Sequence, residues 1–231
     1  MKLSIIIPVF QSHEIVRRQI EYWKKLKLGN TEIIIADDNS KPPLSGDLVK
    51  FIRTDSKLAW TQGIARNLGA SVAKGEYLFM TDIDHIISQE ALDDALSFTG
   101  LKMIFRRQIA ILDATGSLKQ DKNTLADWGY DSEKLDASVH GNTWVMKKET
   151  FDKLGGYEPK YSLVGYHPKS RSGDDAYFNA KFNHTFRGSI TDVGRDIYMF
   201  PIGRFNKWGD LNPKGLFHGL SQKEENLSYK I

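Results

Sequence analysis

The first eighty residues alternate short apolar runs with segments of helical periodicity. Leu3 to Val9 is a continuous apolar run rich in β-branched residues, which is typical of a strand covered on both faces. From His13 to Leu28, apolar residues recur at helical intervals and predict an amphipathic helix that ends at Gly29. The same alternation continues with predicted strands over Glu32–Ala36, Val49–Arg53 and Tyr77–Met80, and a predicted helix over Thr61–Lys74. This order predicts an α/β fold with a central, mostly parallel sheet flanked by helices.

The pattern is weaker after residue 100. It predicts one or two strands over Met103–Leu112, a strand over Thr143–Met146, a short helix over Glu149–Leu154, and a helix through Phe182 capped by Ser172. Tyr161–Ser172 has no clear period and is a candidate mobile loop. The last thirty residues form a predicted irregular tail. We find no repeat or linker, so we expect a single domain over residues 1–231.

Composition restricts the classes of function. With 40% hydrophobic and 26% charged residues the chain is typical of soluble globular proteins. It has no cysteine, which excludes disulfide scaffolds, thiol catalysis and cysteine zinc sites. The apolar run at the N-terminus is too short to span a membrane, so we expect a cytoplasmic protein. The 32 basic and 29 acidic residues are interspersed, and without a basic stripe a nucleic-acid partner is not expected.

Two predicted strands end in paired acids, Asp37-Asp38 and Asp82-Ile83-Asp84. In parallel sheets ligands bind beyond the carboxyl ends of the strands, so these acids mark candidate sites. Carboxylates like Asp82 and Asp84 suit Mg²⁺ or Mn²⁺, and such an ion would neutralise a diphosphate leaving group. The alternative is an acidic turn before a helix that Ser88 caps.

The acids belong to a series of motifs. In chain order these are Ile7-Pro8-Val9-Phe10, Asp37-Asp38-Asn39-Ser40, Ala65-Arg66-Asn67, Asp82-Ile83-Asp84, Gly155-Gly156-Tyr157-Glu158 and Gly173-Asp174-Asp175. From Leu3 to about Phe182 the chain thereby resembles the family-two-like nucleotide-sugar glycosyltransferases of the GT-A fold. It departs from the family pattern at Asn39, where glycine is usual, and at Tyr157-Glu158, where Phe-Asp is usual. Asparagine tolerates left-handed conformations, so the first change is mild.

The resemblance implies residues that bind a nucleotide-sugar donor. Asp38 would accept a hydrogen bond from a uracil ring, and Asp82 would contact the ribose or a metal-bound water. Asp84 would bind the metal directly. The remaining donor contacts implied in this way are Pro8 and Phe10 at the base, Trp60 as a wall of the base pocket, Arg66 of the Ala-Arg-Asn motif, and Gly141 and Asn142 at the sugar. Residues 1–100 would form the nucleotide-binding half, and residues 101–231 the acceptor-binding half and tail.

The resemblance also implies the catalytic groups. Asp175 corresponds to the general base of inverting members, which removes the proton of an attacking hydroxyl. Asp174 would bind the acceptor. Related enzymes take a further metal ligand from a histidine near the C-terminus, for which His218 is our prediction and His85 the competitor. For Asp174 and Asp175 the structural alternative is ordinary helix-start chemistry, because a helix dipole favours acids in its first turn.

These observations predict a metal-dependent, inverting glycosyltransferase. It would use Mn²⁺ or Mg²⁺ and move a hexose from a UDP-sugar, with UDP-glucose first and UDP-galactose or N-acetylated sugars next, to a hydroxyl acceptor. A nucleotidyltransferase is one alternative, although the glycine- and lysine-rich loop usual after its first strand is absent from Pro8 to His13. A non-catalytic protein that binds nucleotide sugars or glycans is the other.

Overall fold

The computed structural model describes residues 1–56, 61–132, 134–160, 173–187 and 191–200. Trp60, His218, the predicted mobile loop over Tyr161–Ser172 and the predicted C-terminal tail lie outside these residues. The strands are β1 (Leu3–Val9), β2 (Thr31–Asp37), β3 (Lys50–Arg53), β4 (Tyr77–Met80), β5 (His85–Ile86), β6 (Lys102–Ile109), β7 (Ile111–Leu112), β8 (Leu118–Lys119), β9 (Lys134–Lys147) and β10 (Thr191–Met199). The helices are α1 (His13–Trp23), α2 (Gln62–Val72), α3 (Gln89–Ser97), α4 (Lys122–Asp127), α5 (Lys148–Lys153) and α6 (Asp174–Phe186).

The described strands form one large sheet in the order β3-β2-β1-β4-β9-β6-β10-β5, beside a small β7-β8 hairpin. Strands β3, β2, β1 and β4 run parallel, as do β6 and β10. Strand β9 is antiparallel to both of its neighbours, β4 and β6. The predicted α/β fold with a mostly parallel central sheet is confirmed. No helix of the described residues is long and apolar enough to cross a membrane.

Both faces of the sheet are covered, as the apolar run of β1 predicts. All seven residues of β1 are buried. Ile5 and Ile7 pack with α1 and α3 on one face, while Ile6 packs with residues of α2, α5 and α6 on the other. The central strands therefore lie inside the domain, and only their ends reach the surface at which a ligand can bind.

The structure corrects two predicted boundaries and adds one strand. Helix α1 ends at Trp23, because the backbone N–H groups of Lys25 and Leu26 bond three residues back and close the last turn. Strand β9 runs over 14 residues, far beyond the predicted Thr143–Met146, and its pairing with β6 shifts register twice. Strand β10 was not predicted. Its register with β6 also shifts, which hides the alternation that marks a regular strand.

Candidate functional site

The candidate site lies where the carboxyl ends of β1, β2 and β4 meet at one edge of the sheet. Strand β9 runs the opposite way, with Trp144 beside Met80 at the end of β4. The residues before Trp144, from His140 to Thr143, therefore enter the same edge as Asp82. Because β6 is antiparallel to β9, the later part of β6 reaches this edge as well.

Asp37 holds the turn that presents Asp38. Its carboxylate accepts hydrogen bonds from the backbone N–H of Ser40 at 2.8 Å and of Leu44 at 3.1 Å, and from the Arg53 guanidinium at 3.0 Å. Asn39 adopts the left-handed conformation, with φ of 69°, that the sequence allows at this place. The first acid of the motif is thus structural, which leaves the second as the candidate for a ligand.

Asp38 lies beside the end of β1, as predicted. Its backbone N–H donates to the Val9 carbonyl at 2.7 Å, and its carboxylate accepts from the Thr54 hydroxyl at 2.9 Å. Pro8 pairs with Ala36 of β2 and is buried, and Phe10 is half-buried just beyond the strand. The structure therefore brings Pro8, Phe10 and Asp38 together at adjoining strand ends.

The turn from Asp82 to His85 is fixed through its backbone. The His85 N–H donates to the Asp82 carbonyl, and the Asp84 carbonyl accepts from the N–H of Phe200 at 2.7 Å. From α1, the buried Gln19 amide donates to the carbonyls of Ile83 and His85, each at 3.0 Å. The side chains of this turn thus project from a backbone that α1 and the residue after β10 both hold.

Arg66 engages one oxygen of the Asp82 carboxylate in a short ion pair. The other oxygen lies 3.3 Å from Nδ1 of His140. Burial alone would lower the pKa of Arg66, but the nearby acids, Asp82 first, outweigh it and raise that pKa. Arg66 is fully buried, and its guanidinium also donates to the Gln62 side chain at 3.4 Å.

Asp82, His85 and His140 form a group whose ligand atoms all lie within 4.8 Å of one another. Among the described residues, Asp84 is not part of this group. Burial lowers the pKa of His85 to about 4, against the opposing charge of Asp82 and with the help of Arg107 and Arg66. Burial also lowers the pKa of His140. Both imidazoles are therefore neutral at pH 7, the form that binds metals.

Tyr157 of the Gly-Gly-Tyr motif connects the acid turn to the predicted sugar contacts. Its hydroxyl donates to the Asn142 side chain at 3.1 Å, and the Arg66 guanidinium lies 5.5 Å from its ring centre. The Asn67 side chain bonds the Tyr157 backbone in both directions. Tyr157 is buried and thus contacts Arg66, Asn67 and Asn142 at once.

Asp175 reaches the same edge from the first turn of α6. A Cβ added to Gly141 would lie 3.1 Å from an oxygen of the Asp175 carboxylate. The Asn179 amide donates to the Gly141 carbonyl at 3.0 Å and to the Asp175 carbonyl at 2.8 Å, and it accepts from buried Lys102. Asp174 is buried instead, with an oxygen 3.2 Å from the place of a Cβ on Gly63 in α2.

Sequence reasoning gave no role to Tyr157, Lys102, Asn179 or His140, and it ranked His85 below His218. For His85 and Lys102 the sequence contains a weak indication of a role in the site. His85 directly follows the acid pair, and Lys102 is a charged residue beside an apolar run. The others are brought in by pairings between distant parts of the chain, which local patterns do not encode.

Comparison with known proteins finds a family and relatives that match the first part of the chain. Residues 4–99, somewhat less than half of the sequence, match the family described as glycosyl transferase family 2. Over 101 residues the chain is 29% identical to Glycosyltransferase GlyG of Streptococcus pneumoniae serotype 4. This alignment covers 39% of the present chain and 33% of GlyG. Over 108 residues it is 28% identical to poly(ribitol-phosphate) beta-N-acetylglucosaminyltransferase TarP of Staphylococcus aureus. This alignment covers 42% of the present chain and 32% of TarP. The matches span about a third of these two relatives.

Solved structures show the same fold over more of the chain. S. aureus TarS 1-349 in complex with UDP aligns with a TM-score of 0.55 at 15% identity, over 88% of this chain and 62% of TarS 1-349. The complex of TarS 1-349 with UDP-GlcNAc aligns with a TM-score of 0.55 at 16% identity, over 87% of this chain and 59% of the TarS chain. At this identity the likeness concerns the fold alone. Residues 4–99 thus match glycosyl transferase family 2, and the described chain shares the GT-A fold of these solved structures.

Proposed function

We propose that this chain transfers a hexose from a UDP-sugar to a hydroxyl acceptor with inversion at the anomeric carbon. The observation that carries the proposal is the meeting of Asp38, Asp82 and Asp175 at one edge of the sheet, each from a different motif. The UDP and UDP-GlcNAc complexes of TarS support a uridine donor. Because TarP is named for N-acetylglucosamine transfer, UDP-GlcNAc deserves testing beside our first prediction, UDP-glucose.

In this proposal Asp38 binds the uracil ring, with Pro8 and Phe10 beside the base. Gly141 and Asn142 contact the sugar. Asn142 is buried and its amide oxygen is held by the Tyr157 hydroxyl, so its amide nitrogen is the group free to be oriented toward a ligand. Trp60 remains a predicted wall of the base pocket.

Asp175 supplies the general base. A sugar hydroxyl is a poor nucleophile and loses its proton as its oxygen forms a bond to the anomeric carbon, while the bond to UDP breaks. The Asp175 carboxylate is half-buried, faces Gly141 and lies in the first turn of α6, where the helix dipole favours the charged form. Asp174 stays a predicted acceptor contact, although its burial favours a structural part in holding α6 against α2.

The proposal includes Mn²⁺ or Mg²⁺, which when bound would neutralise charge on the departing diphosphate. The acid turn fits such an ion, because Asp82 lies with His85 and His140 in a group whose ligand atoms are within 4.8 Å of one another. Asp84 and, from the tail, His218 are the other predicted ligands. A cytoplasmic location and a single domain also remain predictions.

The test incubates the protein with UDP-sugars, Mn²⁺ or Mg²⁺ and a panel of hydroxyl acceptors, and measures release of UDP. Asp175→Asn should lower turnover by about 10²- to 10⁴-fold, the usual contribution of a general base, and leave UDP affinity unchanged. Asp152→Asn is the matched control, because Asp152 forms an exposed ion pair with Lys148 away from the site. UDP binding without turnover, unaffected by Asp175→Asn, would instead indicate a binding protein. Pyrophosphate release from UTP and a sugar phosphate would indicate a nucleotidyltransferase.

A further inference from the structure

We propose that Lys102 and Asn179 are positioning residues, which together hold the proposed general base, Asp175, against the Gly141 segment of β9. The inference rests on the proposed function for its purpose, but the hydrogen bonds on which it depends can be tested without turnover. Neither residue touches a substrate in this proposal. Their effect therefore falls on the rate of the chemical step and not on the affinity for the donor.

The carboxylate of Asp175 is tied to the backbone of its own helix. One oxygen accepts a hydrogen bond from the Ala176 N–H at 2.7 Å. The other is the oxygen that would lie 3.1 Å from a Cβ on Gly141. Because the carboxylate moves with the helix, its place in the site depends on where the first turn of α6 lies relative to β9.

Asn179, one turn further along α6, connects that first turn to β9. Its amide nitrogen donates to the Gly141 carbonyl at 3.0 Å and to the Asp175 carbonyl at 2.8 Å. Phe178 also stacks on Trp144 of β9, with ring centres 5.2 Å apart. Apolar packing is not directional, whereas a hydrogen bond requires a particular alignment of donor and acceptor. The alignment of the base against β9 is therefore assigned to Asn179.

Lys102 determines which way the Asn179 amide points. Its ammonium is only a donor, and it donates to the Asn179 oxygen. The amide nitrogen then lies on the opposite side, toward Gly141 and Asp175. A rotated amide would set its NH₂ group against the ammonium and its oxygen against two carbonyls. Lys102 thus keeps the amide in the one orientation that links α6 to β9.

The burial of Lys102 supports this role. The residue is buried, and burial lowers its pKa to about 8. In the part of the chain that the structure describes, no carboxylate forms an ion pair with its ammonium, which lies 4.8 Å from the ring centre of Phe182. A buried charge without a counter-ion opposes folding, so packing alone favours an apolar residue here. The bond to Asn179 gives the lysine a purpose that packing does not.

The first experiment removes the link to β9 and keeps the pair with the lysine. In Asn179→Asp the carboxylate still accepts from Lys102 but has no hydrogen to donate to Gly141. We expect kcat for UDP release to fall by about 10- to 100-fold and KM for the UDP-sugar to change by less than about twofold. Asn183→Asp is the matched control, because it makes the same change one turn further along α6 at an exposed position. Equal kcat in the two variants overturns the proposal.

The second experiment separates positioning from stability. Lys102→Met removes the buried ammonium and its burial penalty, so the urea midpoint of unfolding should rise. The Asn179 amide then loses the donor that orients it, and kcat should fall by about 10-fold in the more stable protein. A residue with a merely structural part would lose activity only together with stability. A Lys102→Met protein with the kcat of the wild type overturns the proposal.

Hydrogen exchange tests the link without turnover. In Asn179→Asp the backbone amides of residues 139–143 and 173–177 should exchange about 2- to 10-fold faster than in the wild type, as the loss of one hydrogen bond implies. Asn183→Asp should leave both segments unchanged. Unchanged exchange of both segments in Asn179→Asp overturns the proposal.

The two proposals fail separately. If both segments exchange faster in Asn179→Asp but the wild type turns over no UDP-sugar, the hydrogen-bonded link is supported and the proposed function fails. If the wild type turns over a UDP-sugar and Asn179→Asp does so as fast as Asn183→Asp, the function stands and the positioning role does not.

Discussion

The side-chain amide of Asn67 pairs with the backbone of Tyr157 as a neighbouring strand would. Its Nδ2 donates to the Tyr157 carbonyl at 2.7 Å, and its Oδ1 accepts from the Tyr157 N–H at 2.9 Å. This pairing holds α2 against a turn in which Gly155 and Gly156 both have positive φ. It also places the Tyr157 ring between Arg66 and Asn142. The last residue of the Ala-Arg-Asn motif therefore joins two halves of the site.

Asn67→Asp should lower the free energy of unfolding by about 2–4 kcal/mol, because it removes the donor to the Tyr157 carbonyl and sets a carboxylate against that oxygen. Urea unfolding of the variant and of Ser71→Ala, whose hydroxyl bonds an exposed helix carbonyl, measures the effect. UDP affinity should also fall in Asn67→Asp. Equal stability of the two variants would contradict the structural role of this pair.

The strands that could be predicted from the sequence are those marked by an apolar run within the strand itself. β1 and β4 are continuous apolar runs because both faces of each strand are buried, so composition alone marks them. β10 contains Arg195 and Asp196, whose backbone groups bond Asp94 and Ser88 in and before α3. That strand depends on partners a hundred residues away and has no local signal.

The same distinction applies to the site. The rule that ligands bind at the carboxyl ends of parallel strands led to Asp38 and Asp82, and both lie there. His140 reaches Asp82 only because β9 inserts antiparallel between β4 and β6. His140 and Asp82 are 58 residues apart in the chain. Without knowledge of the strand order, the sequence cannot show that they lie close together.

Lys102 gives a prediction about pH. Burial lowers its pKa to about 8, below the value of about 10.5 expected in the unfolded chain. Between pH 8 and 10.5 the unfolded state binds more protons, so the stability of the wild type should gain as the pH rises through this window. Below pH 8 both states are protonated, and the burial penalty is present in full.

Lys102→Met should therefore raise the free energy of unfolding at pH 7 by about 1–3 kcal/mol, less whatever the bond to Asn179 contributes. The gain should shrink toward pH 10.5. Urea unfolding of both proteins at several pH values gives the difference between their free energies of unfolding. Groups that titrate alike in both proteins cancel in this difference. Parallel pH profiles would show that the Lys102 pKa is not lowered.

Gly141→Ala tests the closeness of β9 to Asp175. The added Cβ would lie 3.1 Å from the Asp175 carboxylate, so that side chain must shift by a few tenths of an ångström, whereas the Asn179 amide at 3.4 Å is near ordinary contact. A small displacement of a catalytic group can reduce rate by about 10²-fold, and we expect turnover to fall by 10- to 100-fold. Stability should change by less than about 1 kcal/mol, as for surface substitutions. Unchanged turnover of the alanine variant would argue against Asp175 as the base.

Gln19 gives the last prediction, since its amide holds the acid turn without touching a ligand. Gln19→Leu leaves the carbonyls of Ile83 and His85 without their donor, at a cost of about 1–3 kcal/mol in unfolding free energy. The turn carries both Asp82 and Asp84, which the proposed function places at the metal, so Mn²⁺ affinity should fall together with stability. Tyr22→Phe is the matched control, because it removes one buried donor from the same helix, bonded to Ile87 beyond the turn. It should lose comparable stability and keep Mn²⁺ affinity. If both variants weaken Mn²⁺ equally, loss of stability alone explains the effect, and Gln19 does not position the turn.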